Sequence, residues 1–227
     1  MLVFPTCFFG IYAKDVDIEL AKMSGGVALN GEEDEIATDG GGRWFAEMGD
    51  VALTSRDKIM AWRAFKAATG GCVDPFIFPI CDARHQPTAG KSRVPHADGA
   101  SFDDDTLYSQ GDGAAQLTAD AALRATTISI SLALAKPLVG GERFTLVHPN
   151  MRERAYVVGR ISEQTASSAT FQFHPPLREA AAAGTVVDFN DPRFVATVQG
   201  PMRAPLANPK FARGAVRFVE DFRGSYA

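Results

Sequence analysis

The sequence predicts a mainly β protein in two parts: a β-rich first part with one flanking helix, and a small β-barrel inserted ahead of a closing strand. Three observations carry this. Short alternating or β-branched apolar runs recur from about residue 125 to 200. A single stretch, Thr54 to Thr69, has the length, cap and stop of a long helix. The last run, GAVRFVEDF, is a lone strand, and a lone strand has no stability until it joins a sheet formed earlier in the chain.

Taken in order, residues 2–12 are β-branched or aromatic with a proline near the start, which predicts a first strand. GEEDE then lies between Gly25-Gly26 and Gly40-Gly41-Gly42, and reads either as a mobile loop or as the tip of a long hairpin. For the helix, Thr54 or Ser55 is placed to cap and Gly70-Gly71 to stop. Ala61, Ala64, Phe65 and Ala68 fall at helical spacing beside Trp62, predicting a stripe of small side chains laid close against a sheet. Phe76 to Cys81, bounded by Pro75 and Pro79, predicts an edge strand, where missing amide donors are tolerated.

Residues 86–119 carry Gly, Pro, Asp, Ser and Thr with little apolar periodicity, and are expected to form a long loop or linker. From there TTISISLAL, RFTLVH, RAYVVGRI, ATFQF, TVVDF and FVATV predict six strands, with PPLREAAAAG as one short helix among them. The three prolines of PMRAPLANPKF predict no regular pairing. In the final strand Val216, Phe218 and Glu220 share one face, Arg217 and Val219 the other, and Val216 and Phe218 are expected to pair with the first sheet. The expected domains are 1–85 with 205–227, a linker at 86–119, and an inserted barrel at 120–204.

Composition excludes several functions. A net charge of −4 leaves no basic excess for neutralising phosphates, so sequence-specific nucleic-acid binding is not expected. No apolar run approaches the length of a membrane span and the N-terminus lacks the pattern of a secretory leader, so the expectation is a soluble chain without a membrane partner, made in the cytoplasm. Three cysteines in a chain of 227 residues predict reduced thiols rather than a disulfide framework.

Reactive residue types concentrate in GGCVDPFIFPICDARH. Cys81 and His85 have ligand spacing, while Cys72 and Cys81 stand too far apart to form a close zinc pair. Cys81, His85 and His96 are the set a metal-dependent hydrolase would use, and Cys81 with Arg84 and His85 the set a thiol nucleophile would use. Neither has a surrounding signature, so the thiols, Cys7 included, are read as packing residues, and no catalytic, cofactor-binding or metal site is assigned. His148 and His174 precede prolines at strand ends, and Asp98, Asp103, Asp104, Asp105 and Asp112 lack the closing acid of a calcium loop. A carbohydrate- or ligand-binding β-module is the other alternative, with Trp44, Trp62 or Tyr108 stacking on sugar.

The layout resembles the distal tail proteins and related tail-tube-fold components of long-tailed bacteriophages and prophages. The likeness rests on AWRAFKAATGGCVDPFIFPICD, VPHADGASFDDDTLYSQG, GERFTLVHPNMRERAYVVGRI, FHPPLREAAAAGTVVDF and the closing VRFVEDF. It covers most of the chain beyond residue 55, and residues 1–50 match nothing in that family's pattern. The resemblance implies a tail-tube-like β-sandwich ring domain with one flanking helix, assembled as a hexameric ring, and an inserted barrel on its outside. It implies a structural virion protein, not an enzyme and without cofactors, made in the cytoplasm of a bacterial host. Its implied partners are copies of itself, the tail tube protein and the baseplate hub or tail-tip proteins. An acidic chain suits a ring that lets DNA pass without gripping it.

Overall fold

The structure is a computed structural model that describes residues 1–10, 14–20, 22–37, 41–81, 87, 92–94, 108–110, 115–131, 137–208 and 211–223. It is mainly β and divides into two units, which are described separately. Unit 1 comprises Met1–Cys81, Pro149–Ala155 and Arg193–Ala227; unit 2 comprises Asp82–His148 and Tyr156–Pro192. These limits differ from those expected. The strand around FVATV, assigned to the barrel at 120–204, belongs to unit 1, as does the seven-residue excursion at Pro149–Ala155.

The elements of unit 1 are α1 (Thr6–Phe9), β1 (Lys14–Glu19), β2 (Lys22–Val27), β3 (Glu33–Ala37), β4 (Arg43–Leu53), α2 (Arg56–Ala68) and β5 (Phe76–Pro79). Unit 2 contributes β6 (Ser92–Val94), β7 (Tyr108–Gln110), β8 (Ala115–Leu117), β9 (Thr127–Ser131), β10 (Arg143–His148), most of β11 (Arg152–Gln164), β12 (Ser168–His174) and β13 (Val186–Asp188). β14 (Arg193–Arg203), β15 (Leu206–Asn208) and β16 (Phe211–Glu220) return to unit 1.

Unit 1 is built on a half-barrel sheet ordered β1-β4-β16-β14-β5, with β15 paired to β16. The closing strand therefore joins the first sheet as expected, but in its interior. Val216 pairs with Met48 and Phe218 with Ala46 on β4, while Phe218 pairs with Val198 on β14 across the other side. The register slips between Gly214 and Val216, opposite the exposed Gly49 and Asp50 of β4. This bulge lets Val51 and Leu53 face the same side as Met48 and Ala46, so one continuous apolar face survives the irregularity.

On that face lies an aromatic cluster centred on Phe4. Its ring stands 4.9 Å from Phe65, 4.9 Å from Phe218 and 5.4 Å from Phe9, and stacks at 5.8 Å on Phe78. Residues 2–10, expected as a strand, instead make one bridge and a helical turn. Leu2 and Phe4 bond Ile77 of β5, and then Pro5, which has no N–H to continue a ladder, starts α1. β5 ends the sheet order, the edge position expected from its prolines.

Helix α2 begins where the sequence placed it: the Ser55 side chain accepts a hydrogen bond from Lys58 N, and Gly70 and Gly71 follow the last turn with positive φ. Its buried face keeps Phe65 and Trp62 of the expected stripe but not its alanines. Ile59, Trp62 and Phe65 turn inward, while Ala64 and Ala68 are exposed. Large side chains remove more apolar area from water per position, so they dictate the rotation of the helix and Ala64 and Ala68 are left outside. Gly214 is the sheet's accommodation to this choice: a Cβ there would lie 2.9 Å from the Trp62 ring. Gly214→Val is expected to destabilise unit 1 by about 1–3 kcal/mol, because the buried indole has no room to retreat. Urea unfolding followed by tryptophan emission measures it; a loss below ~0.5 kcal/mol would mean the ring moves freely.

A buried ion pair ties the Pro149–Ala155 excursion into unit 1. Arg154 Nη1 donates to Glu220 Oε1 at 3.1 Å with both side chains fully buried, and Arg154 Nε donates to Met151 O at 2.9 Å. Glu220 Oε2 accepts from Trp44 N at 3.1 Å, and the Arg154 guanidinium lies 5.4 Å from the Phe222 ring centre. Trp44 Nε1 donates to Ala155 O, at 2.6 Å. Burial of the two charges is tolerable because each finds an opposite charge and further hydrogen bonds.

Unit 2 contains a closed barrel, β10-β11-β12-β9-β8-β13, and a separate two-stranded sheet, β6-β7. The six expected runs supply five of its strands; β8 is the sixth and lies inside the stretch expected to be linker, 86–119, as do β6 and β7. Three-residue strands carry too few alternations to stand out in a sequence rich in turn formers. Phe144, Tyr156, Phe171, Phe173 and Phe189 fill the core with Ile130, Leu146 and Leu177. The short helix expected at PPLREAAAAG is absent. Leu177 N and Ala181 N bond Ala125 O and Ala121 O, Arg178 N bonds the Tyr156 hydroxyl, and Ala183 N bonds Asp120. A helix that short gains little from propensity, so cross-chain partners for its amides prevail. PMRAPLANPKF is likewise more regular than expected, since β14 runs through Pro201 to Arg203 and β15 pairs with β16.

Candidate functional site

The residue types singled out for chemistry are dispersed. His85, His96, Arg84 and Asp98, Asp103, Asp104, Asp105 and Asp112 lie outside the described residues. Among the described residues no three His, Cys, Asp or Glu side chains gather to hold a metal ion. His148 is buried in unit 2 with Nε2 2.9 Å from the Tyr156 hydroxyl, and His174 ends β12. Cys72 sits in the turn after α2. Cys7 and Cys81, read as packing residues, are both exposed, and their sulfurs are 3.1 Å apart.

Sugar recognition needs an exposed aromatic face, and the two tryptophans do not offer one. Trp44 is 0% and Trp62 2% exposed, both packed into unit 1. The Tyr108 side chain lies outside the described residues.

The conspicuous surface feature is instead the β2–β3 hairpin, so the glycine-framed GEEDE belongs to a hairpin and not to a loop. Every side chain of β2 is exposed, as are those described for β3. Its two faces differ in chemistry. Lys22, Ser24, Glu33 and Glu35 share one face, joined by a Lys22–Glu35 ion pair and a hydrogen bond from Ser24 Oγ to Glu33. Met23 and Ile36 are cross-strand partners on the other, 63% and 61% exposed, next to Gly25 and Asp34. At the turn Gly31 adopts φ +83°, a conformation glycine enters without strain, and Asn30 bonds Glu32.

A two-stranded hairpin exposed on both faces is marginal in water by itself. Its apolar face is the kind of surface that a partner covers. Four consecutive acids, Glu32 to Glu35, give the tip a strongly negative field.

The exposed side of α2 differs from the hairpin in character. Arg56, Met60, Arg63 and Ala67, all exposed, follow one line along the helix with Ala64 beside them, so two arginines flank an apolar methionine. The alternation that marks the hairpin was available in the sequence as Met23 and Ile36, but two apolar residues among glycines and acids do not signal a strand pair until the register is known.

Among the described residues no helix is long and apolar enough to cross a membrane. Compared with known proteins, the chain matches no family model and no curated sequence.

Proposed function

We propose that this chain is a structural ring subunit of a phage-like tail, set at the distal end between the tail tube and the baseplate or tip, with no enzymatic activity. The observation that carries the proposal is the exposed β2–β3 hairpin together with a differently shaped, oppositely charged helix face on the same unit. Surfaces that complement each other without being alike make heterologous contacts, and heterologous contacts that close by rotation make rings. In this reading Met23 and Ile36 of one subunit lie on Met60, Ala64 and Ala67 of the next, with Asp34 facing Arg63. The half-barrel sheet with its flanking helix is the tail-tube-like ring domain, six copies line the channel, and the closed barrel of unit 2 is the inserted domain available to other tail parts. The acidic balance of the chain serves the passage of DNA, since a channel that attracted phosphates would retain the genome.

Two arms test this. Antibody against the chain should decorate a single level near the tip of purified tails or tail-like particles. Met23→Lys with Ile36→Lys should weaken self-assembly, measured by sedimentation over a concentration series on tail-tube template, by about thirtyfold or more, equivalent to ~2 kcal/mol. Asp34→Arg should weaken it less, and Arg63→Asp in the same chain should restore it. Particles without the chain discard the tail reading; unchanged assembly by the lysine variant discards the hairpin as the ring contact.

A further inference from the structure

We propose that Cys7 and Cys81 form a dithiol–disulfide site that, when oxidised, latches the N-terminal segment onto the end of β5. The sulfurs lie 3.1 Å apart on residues 74 positions distant in sequence. A disulfide needs about 2.05 Å, so a closing movement of about 1 Å by side-chain rotation makes the bond.

Three ties independent of the thiols hold the two residues opposite each other. Phe4 N donates to Ile77 O at 2.9 Å, Thr6 Oγ1 donates to Pro79 O at 3.1 Å, and Lys14 Nζ donates to Ile80 O. On either side of the pair the chain is anchored by buried side chains, Phe4 and Phe9 around Cys7 and Ile80 before Cys81. Cys81 itself is held at φ 53°, in the left-handed region that non-glycine residues seldom occupy. Both thiols are exposed, so a small oxidant reaches either one. Cys72, in the turn after α2, is not part of the pair.

The oxidant is a low-molecular-weight disulfide of the glutathione class. The thiolate of one cysteine attacks a sulfur of the reagent, breaking its S–S bond and releasing one half as thiol after protonation. The second cysteine, as thiolate, attacks the protein sulfur of the mixed disulfide and expels the other half. Two protein thiols are oxidised to one disulfide, the reagent is reduced to two thiols, and the protons released by the cysteines pass to the leaving thiolates. The product closes a loop that includes β1 to β5 and fixes the segment carrying Phe4 in the centre of the aromatic cluster. A latch of this kind is open in a reducing cytoplasm and closed outside it.

The test uses the reduced full-length chain and oxidised glutathione. The intact mass is expected to fall by two hydrogen atoms with no retained adduct, a peptide map to join Cys7 to Cys81, and the melting temperature to rise by about 10 °C, reversibly with dithiothreitol. Cys72→Ser should behave as the wild type. Cys7→Ser, a conservative change at an exposed position, should instead keep a stable glutathione adduct on Cys81. A wild-type chain that retains the adduct, links either thiol to Cys72 or to a second chain, or closes the bond without a rise in melting temperature overturns the latch.

Discussion

Ending the chain before Phe211 is expected to abolish the cooperative unfolding of unit 1 rather than to shift its midpoint. β16 lies between β4 and β14, so its loss divides the sheet into β1-β4 and β14-β5 and leaves two unpaired edges in place of a continuous ladder. Val216 and Phe218 leave the core with it, at about 1.5–3 kcal/mol each. So does Glu220, the partner of the buried Arg154. Together with the lost ladders this approaches the whole of an ordinary domain's stability, ~5–15 kcal/mol. Tryptophan emission reads the outcome cleanly, because both tryptophans of the chain, Trp44 and Trp62, lie buried in unit 1. The truncated chain should emit as a solvent-exposed indole with no urea transition. Emission and a transition like those of the full chain would show that the strand is dispensable.

Arg154→Met is expected to cost about 3–5 kcal/mol, the next largest effect. The methionine fills much of the space, but it leaves the Glu220 carboxylate buried without its cation, and an uncompensated buried charge is far more costly than a missing pair. Adding Glu220→Gln removes that charge while keeping an amide oxygen for Trp44 N, and should recover about 2 kcal/mol or more. Equilibrium urea unfolding of the two variants beside the wild type is the measurement. Equal stability of single and double variants would mean that water or another group reaches the Glu220 carboxylate.

These two effects rest on positions whose importance was only partly legible beforehand. The alternation of Val216, Phe218 and Glu220 was visible in the last strand, and so was the need for a sheet to receive it. That the strand enters the middle of the sheet was not, because alternation specifies which face a side chain takes and says nothing about which strands lie to either side. Arg154 and Glu220 are 66 residues apart. Alternation places Glu220 on the face of Val216 and Phe218, but nothing local names its partner, and Arg154 resembles an ordinary surface charge near the start of a strand until the fold brings the two together. The same holds for Cys7 and Cys81, whose spacing matches no local motif.

What the sequence determined by itself is what short-range physics decides. Ser55 and Gly70-Gly71 bound the helix because capping and left-handed backbone are properties of a few adjacent residues. The β-runs at 127–131 and 168–174 follow from alternation, and those at 143–148 and 186–188 from short β-branched or aromatic apolar runs, both of them local signals. The tertiary structure decided the cases in which local preferences were weak or equal. It turned Ile59, Trp62 and Phe65 inward while Ala64 and Ala68 stayed outside, drew the amides of residues 177–183 away from a helix, and bonded Leu2 and Phe4 to Ile77. It also paired Met23 with Ile36 and brought the Cys7 and Cys81 sulfurs together. In each of these the free energy lies in burial, pairing or contact between residues distant in the chain, and such terms exist only once the chain has folded.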